Sequence, residues 1–498
     1  MLPIVCQHPV RADRTAVRRA DGLAADLVRE QPALTPDPWV RHLMARTLLD
    51  APTLHLGDLA AIPLVARFQD VAYLQDRAVI RAMPGDLVAA TTPHNPHFVA
   101  YCALRLGFGP VSWLHPAAPS DPLRVATACW DDPAIRTTLV SALRAGHLTY
   151  LHPYLGSRDV WVLARRLSDA AQQPLRVVAP PPALTERVND KLWFADVVTR
   201  LFGGRAAPPT HAAWNLALAA ATIVRLAAHT RTIVVKVPSA SGATGTLLLA
   251  SDEVRHRTVG QVRERLRDAL APLGWTGATW LLVGGWEAEA WSSPSVQLWI
   301  PPDGSGAPVV EGIFEQTLTD EIGRFRGAAP AAFATSLTGE IAERCWLAGR
   351  VLQRLGYVGR CSFDLILVGD AAQPRVQFIE CNGRWGGTSI PMTLMNRLFG
   401  DWRRHPYATR ELAIPGLARL RFGDLVTGLD DLLYDARTGT GTVVLYNPVH
   451  MGTADVIDAI AIGPSVDAAR SQLAHDVPAR LRGLLGRVRT VSAPRSGH

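Results

Sequence analysis

Apolar positions recur along this chain in two rhythms, and the change from one to the other marks its organisation. In "RADGLAADLVREQ" (19–31) they return at helical spacing, which predicts a helical arm within residues 1–45. From about residue 62, short apolar runs alternate with helical stretches. "DLVAATTP" (86–93) reads as a strand, and "HFVAYCALRLG" (97–107) as a helix stopped by Gly107. "LTYLHPYLGSRDVWVLARRLSDA" (148–170) repeats strand then helix, and "LRVVAPPP" (175–182) ends in a proline joint. Strands alternating with helices predict a Rossmann-like α/β layer. Three consecutive prolines remove backbone donors and resist helix and sheet, so a boundary is expected near residue 183.

Beyond it, "NDKLWFADVVTRLFGG" (189–204) predicts a helix with Asn189 or Asp190 as N-cap and Gly203 as its stop. A helix over 212–228, the strand "TIVVKV" (232–237) and the helix "VGQVRERLRDALAPLG" (259–274) follow. Next come the strands "TWLLVGG" (279–285) and "SVQLWI" (295–300), the turn "PPDGSG" (301–306) and a helix over 338–356. "GTVVLYNP" (441–448) predicts a strand and residues 465–486 a helix, and the tail from about 489 is expected to be disordered. No internal repeat, P-loop or GxGxxG fingerprint occurs. The expected division is an arm and α/β domain over 1–184, a second domain over 185–405, a small carboxyl-terminal α+β domain over 406–488, and the tail 489–498.

The segment "GRCSFDLILVGDAAQPRVQFIECNGRWGGTSIP" (359–391) carries the sharpest pattern. "SFDLILV" and "RVQFIEC" alternate as half-buried strands around a polar turn. A hairpin folded about residue 372 faces Val368 with Val376 and Asp364 with Glu380. Period two puts Glu380, Asn382 and Arg384 on one face. Opposed carboxylates repel unless a cation lies between them. Magnesium suits such a pair, with Asn382 adding an amide oxygen and phosphates completing the shell. The alternative is that both acids point to solvent. Arg384 and Gly386–Gly387 directly downstream favour the ligand reading, since glycine lets a ligand approach the backbone.

Composition changes the picture at one point. Of 51 basic residues only two, Lys191 and Lys236, are lysines. Lysine is a compact ammonium on a slim stem, and a planar guanidinium does not replace it in a narrow slot against phosphate. Lys236 lies in an apolar strand, where a lone charge is costly. "PSASGATG" (238–245) follows it, offering backbone N–H groups for an anion nest or serving simply as a loop. The formal net charge of +7 is spread without a basic block, so a nucleic-acid surface is not expected. No run is long and apolar enough for a bilayer, and the amino terminus has no signal-peptide pattern. Six cysteines without zinc spacing are read as reduced thiols of a cytoplasmic protein. "TPHNPH" (92–97) is a turn or, less simply, a metal site.

The order "NDK", strand lysine with glycine-containing loop, "LLVGGWEAEAW", Asp strand and "ECNGRWGG" resembles the ATP-grasp carboxylate–amine ligases over roughly residues 185–400. More loosely the whole chain resembles the pheganomycin-type peptide ligases, through "SSPSVQLWIPPDG", "FEQTL" and its α/β amino-terminal part. The resemblance implies an ATP-grasp fold behind a pre-ATP-grasp domain, and ATP with magnesium, or manganese in its place. Lys191 and Lys236 would contact the phosphates and the adenine side. The loop of Ser239, Ser241, Gly242, Thr244 and Gly245 would cover the triphosphate. Asp364, Glu380 and Asn382 would bind metal, and Arg384 an acyl-phosphate; Gln316 would face the reaction centre or solvent. The hinge departs from the family, with Gly284–Gly285 where Glu or Gln usually begins the adenine turn, leaving Glu287 or Glu289 for the ribose. The implied activity joins a carboxylate to an amine, an amino acid or peptide, through an acyl-phosphate in specialised peptide biosynthesis. The rivals are another ATP-grasp ligase of small-molecule metabolism, a phosphotransferase, and a degenerate ATP-binding protein. The implied partners are small molecules, with no nucleic acid or membrane, and a homodimer is compatible.

Overall fold

The computed structural model describes residues 8–48, 50–63, 65, 71–117, 121–238, 245–273, 275, 277, 280–287, 289–318, 323–448 and 455–491. Eighteen strands among them form four sheets. The first is parallel, with β1 (Thr53–Leu56), β2 (Leu87–Ala89), β3 (Ser112–Leu114), β4 (Tyr150–Pro153) and β5 (Arg176–Val177) in the order β3-β2-β1-β4-β5. Strand order reverses between β1 and β4, which creates a crevice at their carboxyl ends. The expected strand and helix at 86–107 are β2 and helix Pro96–Leu104, with Gly107 at φ +69°.

The proline joint behaves differently from the expectation. Pro182 opens a helix, Pro182–Val188, instead of breaking the chain. Proline fits a first helical turn because that N–H has no intrahelical acceptor anyway. Asn189 ends this helix and Asp190 starts the next, Lys191–Phe202, by accepting from the Leu192 N–H at 2.8 Å.

The second sheet is antiparallel, with β6 (Thr210–Ala213), β7 (Thr232–Lys236), β8 (Thr246–Ala250) and β9 (Leu281–Gly285) in the order β6-β9-β7-β8. The helix expected over 212–228 therefore begins later. Residues 210–213 pair with β9, and Asn215 caps helix Leu216–Leu226 through the Leu218 N–H at 2.8 Å. Helix Val259–Leu270 packs beside it on an apolar core containing Ile223, Val235, Leu266 and Val283.

The third sheet has six strands: β10 (Ala290–Ser292), β11 (Pro294–Ile300), β12 (Val309–Leu318), β13 (Phe325–Pro330), β14 (Gly359–Val368) and β15 (Arg375–Asn382). Its core includes helix Thr335–Arg354 and helix Arg14–Glu30, so the amino-terminal arm packs here, with Arg350 donating to Asp21 at 2.8 Å. The fourth sheet, β16 (Tyr407–Ala413), β17 (Val443–Asn447) and β18 (Val456–Ile462), shares one apolar core with Val79, Phe98 and Tyr101 from the first part of the chain. The carboxyl-terminal helical stretch continues to Val491, beyond the expected start of the tail; residues 492–498 lie outside the described residues.

The hairpin of β14 and β15 pairs Asp364 with Glu380, as expected, yet pairs Val368 with Arg375 and Leu367 with Val376. A bulge between the two registers adds one residue to β15. The bulge is what keeps both carboxylates opposed despite the shifted turn.

Candidate active site

A cleft of ≈ 590 Å³ lies between the second and third sheets. Val234, Lys236 and Leu282 line it from one sheet, and Gln316, Asp364, Ile366, Phe378 and Glu380 from the other. Lys191, at the start of its helix, reaches into it and sets its Nζ 2.6 Å from Glu380 Oε2 and 3.3 Å from the Pro238 carbonyl. Their side chains keep 11% and 22% exposure, so the pair is poorly screened.

Asp364 faces Glu380 and is held by three neutral donors. Its oxygens accept from Ser295 Oγ at 2.7 Å, Gln316 Nε2 at 2.9 Å and Asn382 Nδ2 at 2.9 Å. Burial, and then the charge of Glu380 across the ladder, raise its pKa to about 7. Burial would also raise Glu380, but Lys191 and, behind it, Lys236 and Arg384 hold it down at about 2. Lys236 has no carboxylate partner among the described residues; burial, then the neighbouring Lys191, lower its pKa while Glu380 opposes them. The cleft thus holds an unpaired ammonium beside a crowded carboxylate pair.

That arrangement tests the metal expectation. No group of three or more His, Cys, Asp or Glu side chains with metal-site spacing occurs among the described residues. Two carboxylates and an amide form an all-oxygen set below that number, which suits a hard dication that draws its remaining ligands from water and phosphate. A cation there would also relieve the repulsion that pushes Asp364 up. Asp364, Glu380 and Asn382 fit magnesium or manganese.

Arg384 lies just beyond β15. Its guanidinium donates to Asn189 Oδ1 at 2.6 Å, and the Gly383 N–H donates to the same oxygen at 3.1 Å. Asn189 was a candidate N-cap; instead it ties the "NDK" turn to the loop after Glu380. Gly383 is required there, since a Cβ would stand 2.4 Å from Val188 Cγ2. Gly387 has a packing cause too, the Phe325 ring 2.7 Å from a notional Cβ, whereas Gly386 faces open space.

The hinge glycines are also explained by packing. A Cβ on Gly284 would meet the Pro209 carbonyl at 2.9 Å, and one on Gly285 the Thr230 hydroxyl at 3.2 Å. Glu287 lines the cleft, while Glu289 is exposed and does not. Gly245 borders β8, its carbonyl accepting from the Val237 N–H; Ser239, Ser241, Gly242 and Thr244 lie outside the described residues. Gln316 is brought to Asp364. Sequence reasoning missed Ser295, Asn189 as a tether, Glu315, Trp286 and Trp291, the last three lining the cleft. The exposure of Trp286 and Trp291, at 39% and 43%, is a cue visible only in the fold.

"TPHNPH" is a turn. Asn95 caps helix Pro96–Leu104, and His94 bonds His115 at 2.9 Å and stacks on Trp113. Among the described residues, five cysteines are buried and in no disulfide; Cys6 lies outside them.

Comparison with known proteins bears on the same two layers. Residues 75–169 match the pre-ATP-grasp domain family. No curated protein matches the sequence. Among solved structures, the ADP complex of PurK, N5-carboxyaminoimidazole ribonucleotide synthetase, superposes with a TM-score of 0.54 at 12% identity, over 87% of this chain and 98% of that one. The Staphylococcus aureus synthetase with ADP gives 0.51 at 8% identity, over 88% and 99%. Biotin carboxylase from Campylobacter jejuni gives 0.50 at 11%, over 84% and 89%. The chain has the ATP-grasp fold behind a pre-ATP-grasp domain. No helix among the described residues is long and apolar enough to cross a membrane.

Proposed function

We propose that this protein is an ATP-dependent carboxylate–amine ligase releasing ADP and phosphate. The carrying observation is the unpaired Lys236 ammonium beside Lys191, facing the Asp364–Glu380 pair across one cleft. Both signs of charge line one cleft, and solved structures with ADP share the fold. Apolar walls at Val234, Leu282, Ile366 and Phe378 suit a purine, with Glu287 near the ribose. Val237 and Thr246, on either side of the 238–245 loop, line the cleft, so that loop would lie over a bound triphosphate.

A substrate carboxylate oxygen attacks the γ-phosphorus and the bond to the β-phosphate oxygen breaks, giving ADP and an acyl-phosphate. Lys191 and Lys236 offset charge on the phosphoryl oxygens. Magnesium held by Asp364, Glu380 and Asn382 would supply Lewis-acid charge neutralisation. Gln316 and Ser295 keep Asp364 in place. Arg384 has a planar fork suited to the acyl-phosphate and its tetrahedral successor. An amine then attacks the acyl carbon, loses a proton and expels phosphate, leaving an amide.

The acceptor class we infer is an amino acid or peptide, the product belonging to specialised peptide biosynthesis; the resemblance of "SSPSVQLWIPPDG" and "FEQTL" to peptide ligases supports it. The working division is 1–184, 185–405 and 406–488, followed by the tail. An ADP-release screen of carboxylates against amino acids and dipeptides, with product masses, is the test. Amine-dependent ADP release with an amide product is expected. A stable phosphorylated product would move the protein to the phosphotransferases.

A further inference from the structure

One residue past Arg384, Trp385 is 3% exposed and carries two guanidiniums over its indole. Arg81, from the pre-ATP-grasp part, lies 5.1 Å from the ring centre, and Arg360, from β14, 5.0 Å. Arg360 also lies over Trp299 at 5.4 Å and is ion-paired with buried Glu311. Arg81 has no carboxylate partner among the described residues. Its two terminal nitrogens donate to the Pro153 and Leu56 carbonyls, both at 3.1 Å. Those carbonyls end β4 and β1, the two strands between which strand order reverses. The same crevice binds the backbone of the catalytic loop: Leu155 bridges to Arg384, and the Trp385 N–H donates to the Tyr154 carbonyl at 3.1 Å.

Taking a guanidinium out of water to lie on a tryptophan is a costly way to fill space, because apolar side chains would fill it without desolvating a charge. Cation–π contact adds what apolar packing lacks, a preferred placement of the ring under the charge. Successive extended residues point to opposite sides, so fixing the Trp385 indole fixes the direction in which Arg384 leaves the chain. We propose that Arg81, Arg360 and Trp385 form a clamp that positions Arg384 for transfer, with Arg81 and Trp385 as positioning residues that couple it to the end of the parallel sheet. This rests on the ligase reading above.

The test uses the full chain, MgATP, and the carboxylate–amine pair with the highest ADP release. Trp385→Leu and Arg81→Met are expected to lower kcat about 10²-fold, with KM for ATP and MgADP affinity within about 2-fold of the parent. Trp385→Phe, which keeps a ring face, is expected to recover most of the rate. On an Arg384→Met background, Trp385→Leu should add less than about 3-fold, since its effect passes through Arg384. If Trp385→Leu and Arg81→Met do not fold, Arg81→Lys decides: an ammonium cannot hold both carbonyls and the ring, so about a 10-fold loss of kcat is expected. Unchanged kcat in the folded variants, or multiplied losses on the Arg384→Met background, would overturn the clamp while leaving the ligase intact. Absence of MgADP binding to the parent protein would overturn the ligase reading, and the clamp with it.

Discussion

Two groups of cations are withdrawn from water in this molecule, and their surroundings differ. At the cleft, Lys191 and Lys236 face carboxylates and empty volume. At the seam, Arg81 and Arg360 lie over rings, Arg81 bonded to two backbone carbonyls and Arg360 to the buried Glu311 carboxylate. A point charge on a slim stem suits the phosphate proposed for the cleft; a flat fork suits stacking on a ring. In a chain that otherwise uses arginine everywhere, both lysines line the one cleft, Lys191 paired with Glu380 and Lys236 beside it.

The contrast yields graded expectations. Glu380→Gln removes the counter-charge of Lys191 and the proposed metal ligand together, and is expected to lower ATP turnover by about 10³-fold or more in a steady-state assay. At the seam the largest effect falls on stability instead. Arg360→Met strands the buried Glu311 carboxylate and should cost about 3–5 kcal/mol by denaturant unfolding. Lys236→Arg keeps the charge but changes its shape, so about a 10²-fold loss of turnover is expected, with an unchanged Tm. Full turnover in Lys236→Arg would erase the distinction between the two groups.

The hairpin and both lysines were legible in the sequence because their signals are local: period-two alternation, a polar turn, and a residue type used only twice. Even there the turn was misplaced by one residue, since a bulge has no signature in alternation. β12 and β13 escaped notice because "VVEGIFEQTL" and "FRGAAP" have almost no exposed positions, which weakens the apolar–polar rhythm. The glycines of the hinge and of the loop after β15 invited a ligand explanation, yet Pro209, Thr230, Val188 and Phe325 crowd the place of a Cβ at Gly284, Gly285, Gly383 and Gly387. The seam was not legible at all. Residues 81, 299, 360 and 385 belong to four elements, and only the fold brings their side chains together.

A smaller effect is expected from pH. Asp364 is raised to about 7 in the folded protein, so it binds a proton that the unfolded chain releases near its ordinary value of 3.8. Its contribution to stability is therefore present below that ordinary value and lost as pH rises through about 7. Metal binding runs the other way, because it needs the carboxylate. Magnesium-dependent ADP affinity should rise up to about 10-fold between pH 6 and 8 in wild type, and lose that rise in Asp364→Asn.

Calorimetric titration of ADP into the intact protein at pH 8, with magnesium and with chelator, tests the cleft most directly. Saturable one-site binding that weakens at least about 10-fold without magnesium is the expected result. No binding, or equal affinity with and without the metal, would contradict the assignment of Lys191, Lys236, Asp364 and Glu380 to a metal–nucleotide site.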